Sequence, residues 1–448
     1  MDQIPETNHQ RGALAQAQSA SLSRRSVLRG AALAGVGLAG AGLAACTGGV
    51  APAWTPGAGR TSAPAAPTGT PGLSMSPTAA ASATATAATT AAATATPGGG
   101  IPAGWTQHDV DARNIVRRYL GNLAPPLRDI YGDAVFGKLA TILGAADNYP
   151  ELSAKPAFAQ VPQLVLNDAV NPLTPTIEGG VKVFRLTIDE ISQPIDELRP
   201  PVAALGFNGQ TPGPTIRVNQ GDQVRVIFRN NLHETTGIHF HGVEFDDFFE
   251  DGVPFVTQVP FVPGEEYAYN FVARNAGSLM YHSHHNATDQ VGRGLLGAFI
   301  VEPTGPDFSY DREYIWISND VLGGFTINNH GFPAVVPVLA AQGETVLVRF
   351  MNEGVMMHPW HSHGYKMRVV ARDGWPLGSA AFDCDTLSVN PGERWDALIT
   401  ADRLGVWAFH CHILPHVEGI SGMFGMVTTL IVVPEPAHID AILAAVLS

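Results

Sequence analysis

Cysteine is scarce in this sequence, and so is positive charge. Three cysteines in 448 residues cannot build a disulfide framework, so each of them needs its own explanation. The 26 lysines and arginines stand against 40 aspartates and glutamates, and a net charge of −14 without a basic run argues against nucleic acid as a partner. A hydrophobic content of 45% gives each of two or three domains a core. The composition therefore indicates a multidomain protein that does not bind nucleic acid.

A long hydrophobic run is also missing, and the apolar stretch near the N-terminus is better explained as a targeting signal. Arg24 and Arg25 precede a glycine-rich stretch, residues 31–45, that is too short for a good membrane span. The stretch ends in a Leu-Ala-Ala-Cys motif, whose cysteine is Cys46 and which resembles a bacterial lipobox. Residues 1–46 are predicted to direct twin-arginine export, followed by lipidation of Cys46 and anchoring to the outer face of the membrane. The alternative is an ordinary signal peptide with an incidental cysteine.

The remaining chain divides by composition and by periodicity. Residues 47–104 are rich in Ala, Thr, Pro, Ser and Gly, which predicts a disordered tether. Residues 105–165 have helical spacing and are expected to form a structural cap, with a ligand-binding role as the less favoured alternative. Short alternating runs between turns then predict two all-β domains, residues 166–304 and 305–435, before a C-terminal tail, residues 436–448.

The two β-domains are predicted to be homologous because their sequences repeat. Residues 221–242 align without gaps on residues 343–364, and residues 263–291 align on residues 391–419. Each domain keeps two His-X-His pairs in the repeat register. Histidines at i and i+2 on a strand point to the same face and can bind one metal ion or two adjacent ones. The eight paired histidines are His239, His241, His282, His284, His361, His363, His410 and His412.

One histidine pair brackets a cysteine, and this indicates a second kind of metal site. In His410-Cys411-His412 the thiolate points to the opposite face of the strand from the two imidazoles. Cys411, His416 and Met423, with His358 from the other motif, complete the trigonal His₂Cys set with an axial methionine that is typical of blue-copper sites. The first domain lacks these ligands. In register with His358, Cys411, His416 and Met423 it has Thr236, Ser283, Thr288 and Leu295.

These residues resemble the four copper motifs of the multicopper oxidases, in particular the two-domain, laccase-like branch. The resemblance covers about residues 165–434 and implies cupredoxin-like domains of the Greek-key type. It implies that His358, Cys411 and His416 bind a type 1 copper, and that His239 and His361 bind a type 2 copper. The type 3 copper pair would be held by His241, His282, His284, His363, His410 and His412.

The axial ligand departs from the family pattern. The family usually places it ten residues after the cysteine, which is Ser421 here, whereas the repeat register favours Met423. Met426 is a weaker candidate. In two-domain relatives the trinuclear cluster forms between domain one of one subunit and domain two of the next. The resemblance therefore implies a homotrimer with the cluster at the subunit interface.

The implied reaction is oxidation of a small reducing substrate by dioxygen, which is reduced to water. Asp251 resembles the acid that delivers protons in relatives, although an Asp before Gly is also an ordinary turn residue. Glu418 is a weaker candidate, as a proton relay or as a group that binds a cationic donor. Phenolic and other aromatic donors are favoured because the nine methionines form no Cu(I)-type run. The alternatives are a metallo-oxidase of Cu(I), Fe(II) or Mn(II), and a copper-binding lipoprotein without enzymatic activity.

Overall fold

The computed structural model describes the chain from residue 103 onward, with one long gap at 144–171 and several short ones. The described residues are 103–120, 124–143, 172–196, 198–305 and 307–447. The predicted export signal, Cys46 and nearly all of the predicted tether lie outside them. Among the described helices, none is both long and apolar enough to cross a membrane.

Most helical residues in the described part of the chain pack against the second β-domain. The helices are α1 (Gln107–Leu120), α2 (Ala124–Leu143), the single-turn α3 (Ala287–Gln290) and α4 (Pro436–Leu447). On α1, Tyr119 is buried and its hydroxyl lies 3.1 Å from Thr429 Oγ1 of the second domain. On α4, Ile439 and Ile442 are buried in the same core. The C-terminal segment, which the sequence analysis treats only as a tail, is a helix packed on the second domain.

The first β-domain consists of two packed sheets. One sheet has the strand order β1-β2-β5-β7 with β3 beside β2, and the other has the order β4-β9-β8-β6. Phe228, Phe240 and Tyr281 are fully buried between the sheets. The strands are β1 (Thr176–Glu178), β2 (Val181–Gln193), β3 (Val202–Phe207), β4 (Gly213–Asn219), β5 (Gln223–Asn230), β6 (Ile238–His241), β7 (Glu266–Val272), β8 (Gly277–Ser283) and β9 (Leu296–Glu302).

The second β-domain repeats this arrangement with additional short strands. Its larger sheet has the order β11-β10-β13-β19-β15-β16 with β17 beside β15, and its smaller sheet has the order β12-β23-β20-β14-β18. A hairpin, β21-β22, stands apart. The strands are β10 (Arg312–Asn319), β11 (Thr326–Ile327), β12 (Val338–Ala341), β13 (Thr345–Asn352), β14 (His358–Ser362), β15 (Met367–Arg372), β16 (Trp375–Pro376), β17 (Phe382–Cys384), β18 (Thr386–Val389), β19 (Arg394–Thr400), β20 (Gly405–Cys411), β21 (Glu418–Gly419), β22 (Gly422–Met423) and β23 (Val427–Val433).

Strand pairing supports the internal repeat. The pairs β2/β5 and β10/β13 are both parallel, and so are β4/β9 and β12/β23. In the histidine-bearing strands, His239 is opposite His282 and His361 is opposite His410, which are the positions that the sequence repeat equates. The all-β fold predicted from the sequence is confirmed.

The two domains share a small apolar seam. Met280, Leu296 and Ile300 of the first domain pack with Ile317 and Met351 of the second. Polar contacts reinforce the seam, since Arg349 Nη1 in the second domain donates to Ser278 Oγ in the first at 2.8 Å. The strands that bear the histidines are therefore fixed relative to one another within one chain.

Candidate metal centres

Strand β20 ends at the point where two metal sites meet. Cys411 is completely buried in the second domain, whereas His410 and His412 lie on the other face and contact His361 at ring-centroid distances of 5.7 and 5.3 Å. This is the alternation of side chains expected for a strand. One short segment therefore contributes to a buried site and to an exposed one.

The buried site contains the predicted His₂Cys set. His358 begins β14, and His416 ends a 3₁₀ turn, Leu414–His416, that follows β20. Cys411 Sγ lies 3.8 Å from His358 Nδ1 and 3.6 Å from His416 Nδ1. The three ligand atoms all lie within 4.8 Å of one another. One thiol and two imidazole nitrogens thus converge in the pattern that suits copper.

Burial shifts the pKa values of the ligands in this site. The three residues are 0–2% exposed, and Phe325 stacks on the His416 ring at 3.8 Å. Burial lowers the pKa of His416 to about 4, so that its imidazole is neutral and can bind a metal at ordinary pH. Burial also raises the pKa of the Cys411 thiol to about 11. A bound metal ion therefore has to displace the thiol proton.

Beyond His416 the backbone pairing differs from the register that the sequence repeat gave. The Ser283 N–H donates to Leu295 O, and the corresponding Cys411 N–H donates to Met426 O. The gap-free register beyond His416 was therefore wrong by three residues, because the β21-β22 hairpin is an insertion that sequence similarity alone did not reveal. Met426 is fully buried and its N–H donates to His416 O, whereas Met423 is 41% exposed on β22. Of the two methionines, Met426 is therefore the buried one, and its backbone bonds to both Cys411 and His416.

The half-buried histidines of the first domain, together with the exposed His284, form one half of a second centre. Ligand nitrogens of His239, His241 and His282 lie within 4.8 Å of one another, and the ring of His284 is 5.6 Å from that of His239. His239 Nδ1 donates to Asp251 O at 2.7 Å, which leaves Nε2 free for a metal. Burial lowers the pKa of His239 to about 4 and that of His241 to about 3, so these ligands are neutral too.

The second domain presents a matching set of four. His363 Nε2 lies 2.9 Å from His410 Nε2, and His361 Nδ1 lies 3.0 Å from Asp385 O. His410 Nδ1 contacts Cys411 O at 2.8 Å, just as His282 Nδ1 contacts Ser283 O at 2.9 Å in the first domain. The backbone thus orients equivalent rings in the same way in both halves.

The two sets of four are separate within one chain. All eight histidines are described, and their ring contacts join members of the same set without joining one set to the other. An open cavity of about 280 Å³ over the first set is lined on its other side by Asn352, Glu353, Gly354 and Gly392. Each set is therefore an incomplete site that faces outward.

The two predicted acids lie in different places. Asp251 Oδ1 is 3.4 Å from His239 Nδ1, at the edge of the first histidine set. Glu418 lies on β21 beyond the buried site, where its 58% exposed side chain is 3.9 Å from His108 Nε2 of α1. A role of Glu418 in donor binding agrees with this exposure, while its role as a proton relay stays a prediction without supporting contacts.

Two further carboxylates were missed in the sequence. Glu353 lines the cavity over the first histidine set, and burial raises its pKa to about 8. Asp320 Oδ2 lies 3.2 Å from His358 Nε2 in the buried site. The signal available for Glu353 was its closeness to His358 in the chain, whereas Asp320 follows a strand 38 residues earlier and has no motif around it.

Two cupredoxin-like sandwiches with a His₂Cys site and two outward sets of four histidines define a blue-copper redox protein. Comparisons with known proteins agree. Family models described as multicopper oxidase match residues 193–306 and 311–434. The crystal structure of the blue copper oxidase from Nitrosomonas europaea is 30% identical with a TM-score of 0.53, and the match covers 56% of this chain and 85% of that one. The chain belongs to the multicopper oxidase family, and copper is the metal for these sites.

Curated relatives include enzymes with different donors. Laccase-2 of Botryotinia fuckeliana is 29% identical over 236 residues, 45% of this chain and 40% of that protein. The iron transport multicopper oxidase FET5 of Saccharomyces cerevisiae is 31% identical over 229 residues, 44% of this chain and 36% of that protein. The matches thus span well under half the length of either relative, and the similar identities do not choose between a phenolic and a metal donor.

Proposed function

We propose that the protein is a laccase-like oxidase that takes electrons one at a time from a small donor and reduces dioxygen to water. The observation that carries this proposal is the position of Cys411, which is buried between His358 and His416 and has His410 and His412 as its chain neighbours at the end of β20. Bound copper would supply the reversible one-electron chemistry, and the protein supplies orientation and a dry site. The Cys411 backbone and its neighbours give electrons a short covalent route between the sites.

Asp251 is proposed as the group that supplies protons at the oxygen-reducing site. Its carboxylate lies beside His239 and is 36% exposed, so it can exchange protons with water and still reach the histidine set. General acid catalysis typically contributes 10²- to 10⁴-fold, so Asp251→Asn should lower turnover by about 100-fold or more at unchanged copper content. Asp247→Asn is the matched control, because Asp247 caps a neighbouring 3₁₀ turn and Asn can keep that bond. Equal turnover of the two variants would exclude Asp251.

A phenolic or other aromatic donor is proposed, in agreement with the absence of a methionine-rich run in the sequence. A metal-ion donor is the second candidate, since Glu418 is an exposed carboxylate two residues after His416. Initial rates with a chromogenic phenol and with Fe(II), Cu(I) and Mn(II) separate the two. Glu418→Gln should raise KM for the metal ions only, while equal effects on all donors would remove the metal-ion candidate.

The oxygen-reducing site is proposed to form between subunits of a homotrimer. Two incomplete histidine sets on one chain can be joined only by another copy. The loop after Asp251 supports this arrangement, because Phe255, Val256 and Val259 are 75–79% exposed next to the first set. Exposed apolar clusters of this kind mark interfaces.

The trimer can be tested with the double variant Val256→Asp/Val259→Asp. It should sediment as a monomer that keeps the blue band and loses the type 2 signal in electron paramagnetic resonance. Ile177→Asp is the control, because Ile177 is 63% exposed on the other sheet of the same domain. A double variant that stays trimeric, or a monomer with full type 2 copper, would contradict the proposal.

Export and lipidation are proposed from the N-terminal sequence alone, since Cys46 lies outside the described residues. The protein should be found in the membrane fraction, and Cys46→Ala should release it in soluble form outside the cytoplasm. Retention of this variant in the membrane would rule out a lipid anchor at that residue.

The first test of the whole proposal is copper content together with spectra and oxygen uptake. An oxidase should bind about four coppers per chain, show an intense blue band and consume oxygen with a phenol. A copper-binding lipoprotein without activity should bind copper and consume no oxygen with any donor. One copper per chain or none would overturn the oxidase proposal.

A further inference from the structure

Asp320 lies against the type 1 ligand His358 in the interior of the second domain. Its side chain is 1% exposed, and Oδ2 lies 3.2 Å from Nε2 of His358, which is completely buried. The other ring nitrogen, Nδ1, faces Cys411 Sγ at 3.8 Å. The imidazole of His358 therefore sits between the thiol and a buried carboxylate.

The carboxylate of Asp320 is itself held in place. The Val355 N–H donates to Oδ1 at 2.9 Å, and the Met356 N–H donates to Oδ2 at 2.7 Å. A Cβ at Gly354 would lie 2.8 Å from the same carboxylate, so a larger residue there would crowd it. The residues just before His358 therefore surround the Asp320 side chain and fix the position of its carboxylate.

The first domain provides a comparison without a type 1 site. The sequence repeat equates Asn352 in β13 with Asn230 in β5. Ser318 of β10 pairs with Asn352, and Ile188 of β2 pairs with Asn230, so Ser318 and Ile188 are equivalent positions. Two residues further along, Asp320 therefore corresponds to Glu190. Glu190 is 51% exposed and contacts His233, which is itself 90% exposed. Of these two equivalent carboxylates, the buried one belongs to the domain with the type 1 ligands.

We propose that Asp320 is a positioning residue for His358 and that it lowers the reduction potential of the type 1 site. The carboxylate 3.2 Å from Nε2 favours the tautomer with its proton on that nitrogen, which leaves the lone pair on Nδ1 free for copper and favours one orientation of the ring. The buried negative charge also favours the more positive, oxidised state of the site over the reduced state. This inference goes beyond the proposed reaction, since it depends on the type 1 site and not on the donor.

The test uses the full chain with Asp320→Asn, which keeps an acceptor for the backbone N–H groups and removes the charge. The measurements are a redox titration of the blue band, copper affinity by competition with a chelator, and thermal unfolding of the copper-free protein. The potential should rise, and affinity for the type 1 copper should fall by about 10- to 100-fold, as is typical when a carboxylate partner of a ligand is lost. Glu190→Gln is the matched control and should leave both quantities unchanged.

An Asp320→Asn protein with wild-type potential and affinity would overturn the proposal, and a lower unfolding temperature alone would then assign Asp320 a structural role. If this variant does not fold, Asp320→Ser gives the same test, because serine also offers an uncharged acceptor. A wild-type protein without any blue band would instead refute the proposed function before the variants are compared.

Discussion

The same position in the two β-domains is occupied by two different kinds of buried cluster. In the second domain, His358, Cys411 and His416 are 0–2% exposed and converge on one point. In the first domain, the equivalent space contains three neutral polar residues that are completely buried, Thr236, Ser283 and Gln290. Both hydroxyls donate to the Gln290 Oε1 atom, at 2.8 Å from Thr236 and 2.6 Å from Ser283.

This difference teaches what a metal site needs besides ligands. Buried polar groups must be paired, and the first domain pairs its own with one amide. In the second domain the Cys411 thiol lies 3.8 and 3.6 Å from the two imidazole nitrogens, which are weak hydrogen-bond contacts that a bound copper ion would replace. The sandwich supports either solution, and a few side chains decide which domain becomes the redox domain.

The largest change is expected from making the second domain more like the first. Cys411→Ser gives it the residue found at position 283 and removes the thiolate. The blue band should disappear. Turnover should fall by more than about 10- to 100-fold, which is the usual effect of losing a residue that only supports a metal ligand. Visible spectroscopy and oxygen uptake measure the effect, with Cys384→Ser as the control. A blue band in the Cys411 variant would exclude this residue as the type 1 ligand.

A proton accompanies the metal only in the cysteine-containing cluster. With the Cys411 pKa raised to about 11 and the His416 pKa lowered to about 4, copper binding between pH 5 and 8 releases one thiol proton and none from His416. Apparent affinity for the type 1 copper should therefore rise by about tenfold per pH unit in this range. Chelator competition at several pH values measures the slope. A slope near zero would mean that the thiol is already ionised without copper.

The polar cluster of the first domain should contribute to stability and not to copper chemistry. Gln290→Ala removes the shared acceptor. The buried Thr236 hydroxyl loses its 2.8 Å partner, while Ser283 Oγ keeps His285 O at 3.1 Å, so the cost is about 1 to 3 kcal/mol in the free energy of unfolding. Urea denaturation of the copper-free protein measures this change, and the blue band should be unaltered. Unchanged stability would show that water or another group replaces the Gln290 amide.

Most of this comparison was accessible from the sequence because metal ligands are chemically distinct and the repeat gave their register. Thr236 and Ser283 were correctly placed opposite His358 and Cys411. Gln290 was not identified, since nothing in its neighbourhood distinguishes a buried amide from a surface one. Asp320 was missed for a related reason, since its role depends on a contact with His358 that only the folded structure shows.

The register also failed where the domains differ in length, and this leads to the smallest expected effect. The position of Leu295 in the first domain is taken by Met426, because both carbonyls accept the N–H of the residue at the cysteine position. Met426→Leu should therefore raise the type 1 potential and leave the blue band in place, since an axial thioether is a weak, long ligand that tunes the potential. Met423→Leu, on the exposed hairpin, should leave the potential unchanged. The reverse result in redox titrations would restore Met423 as the axial ligand, and would mean that the hairpin folds inward when copper binds.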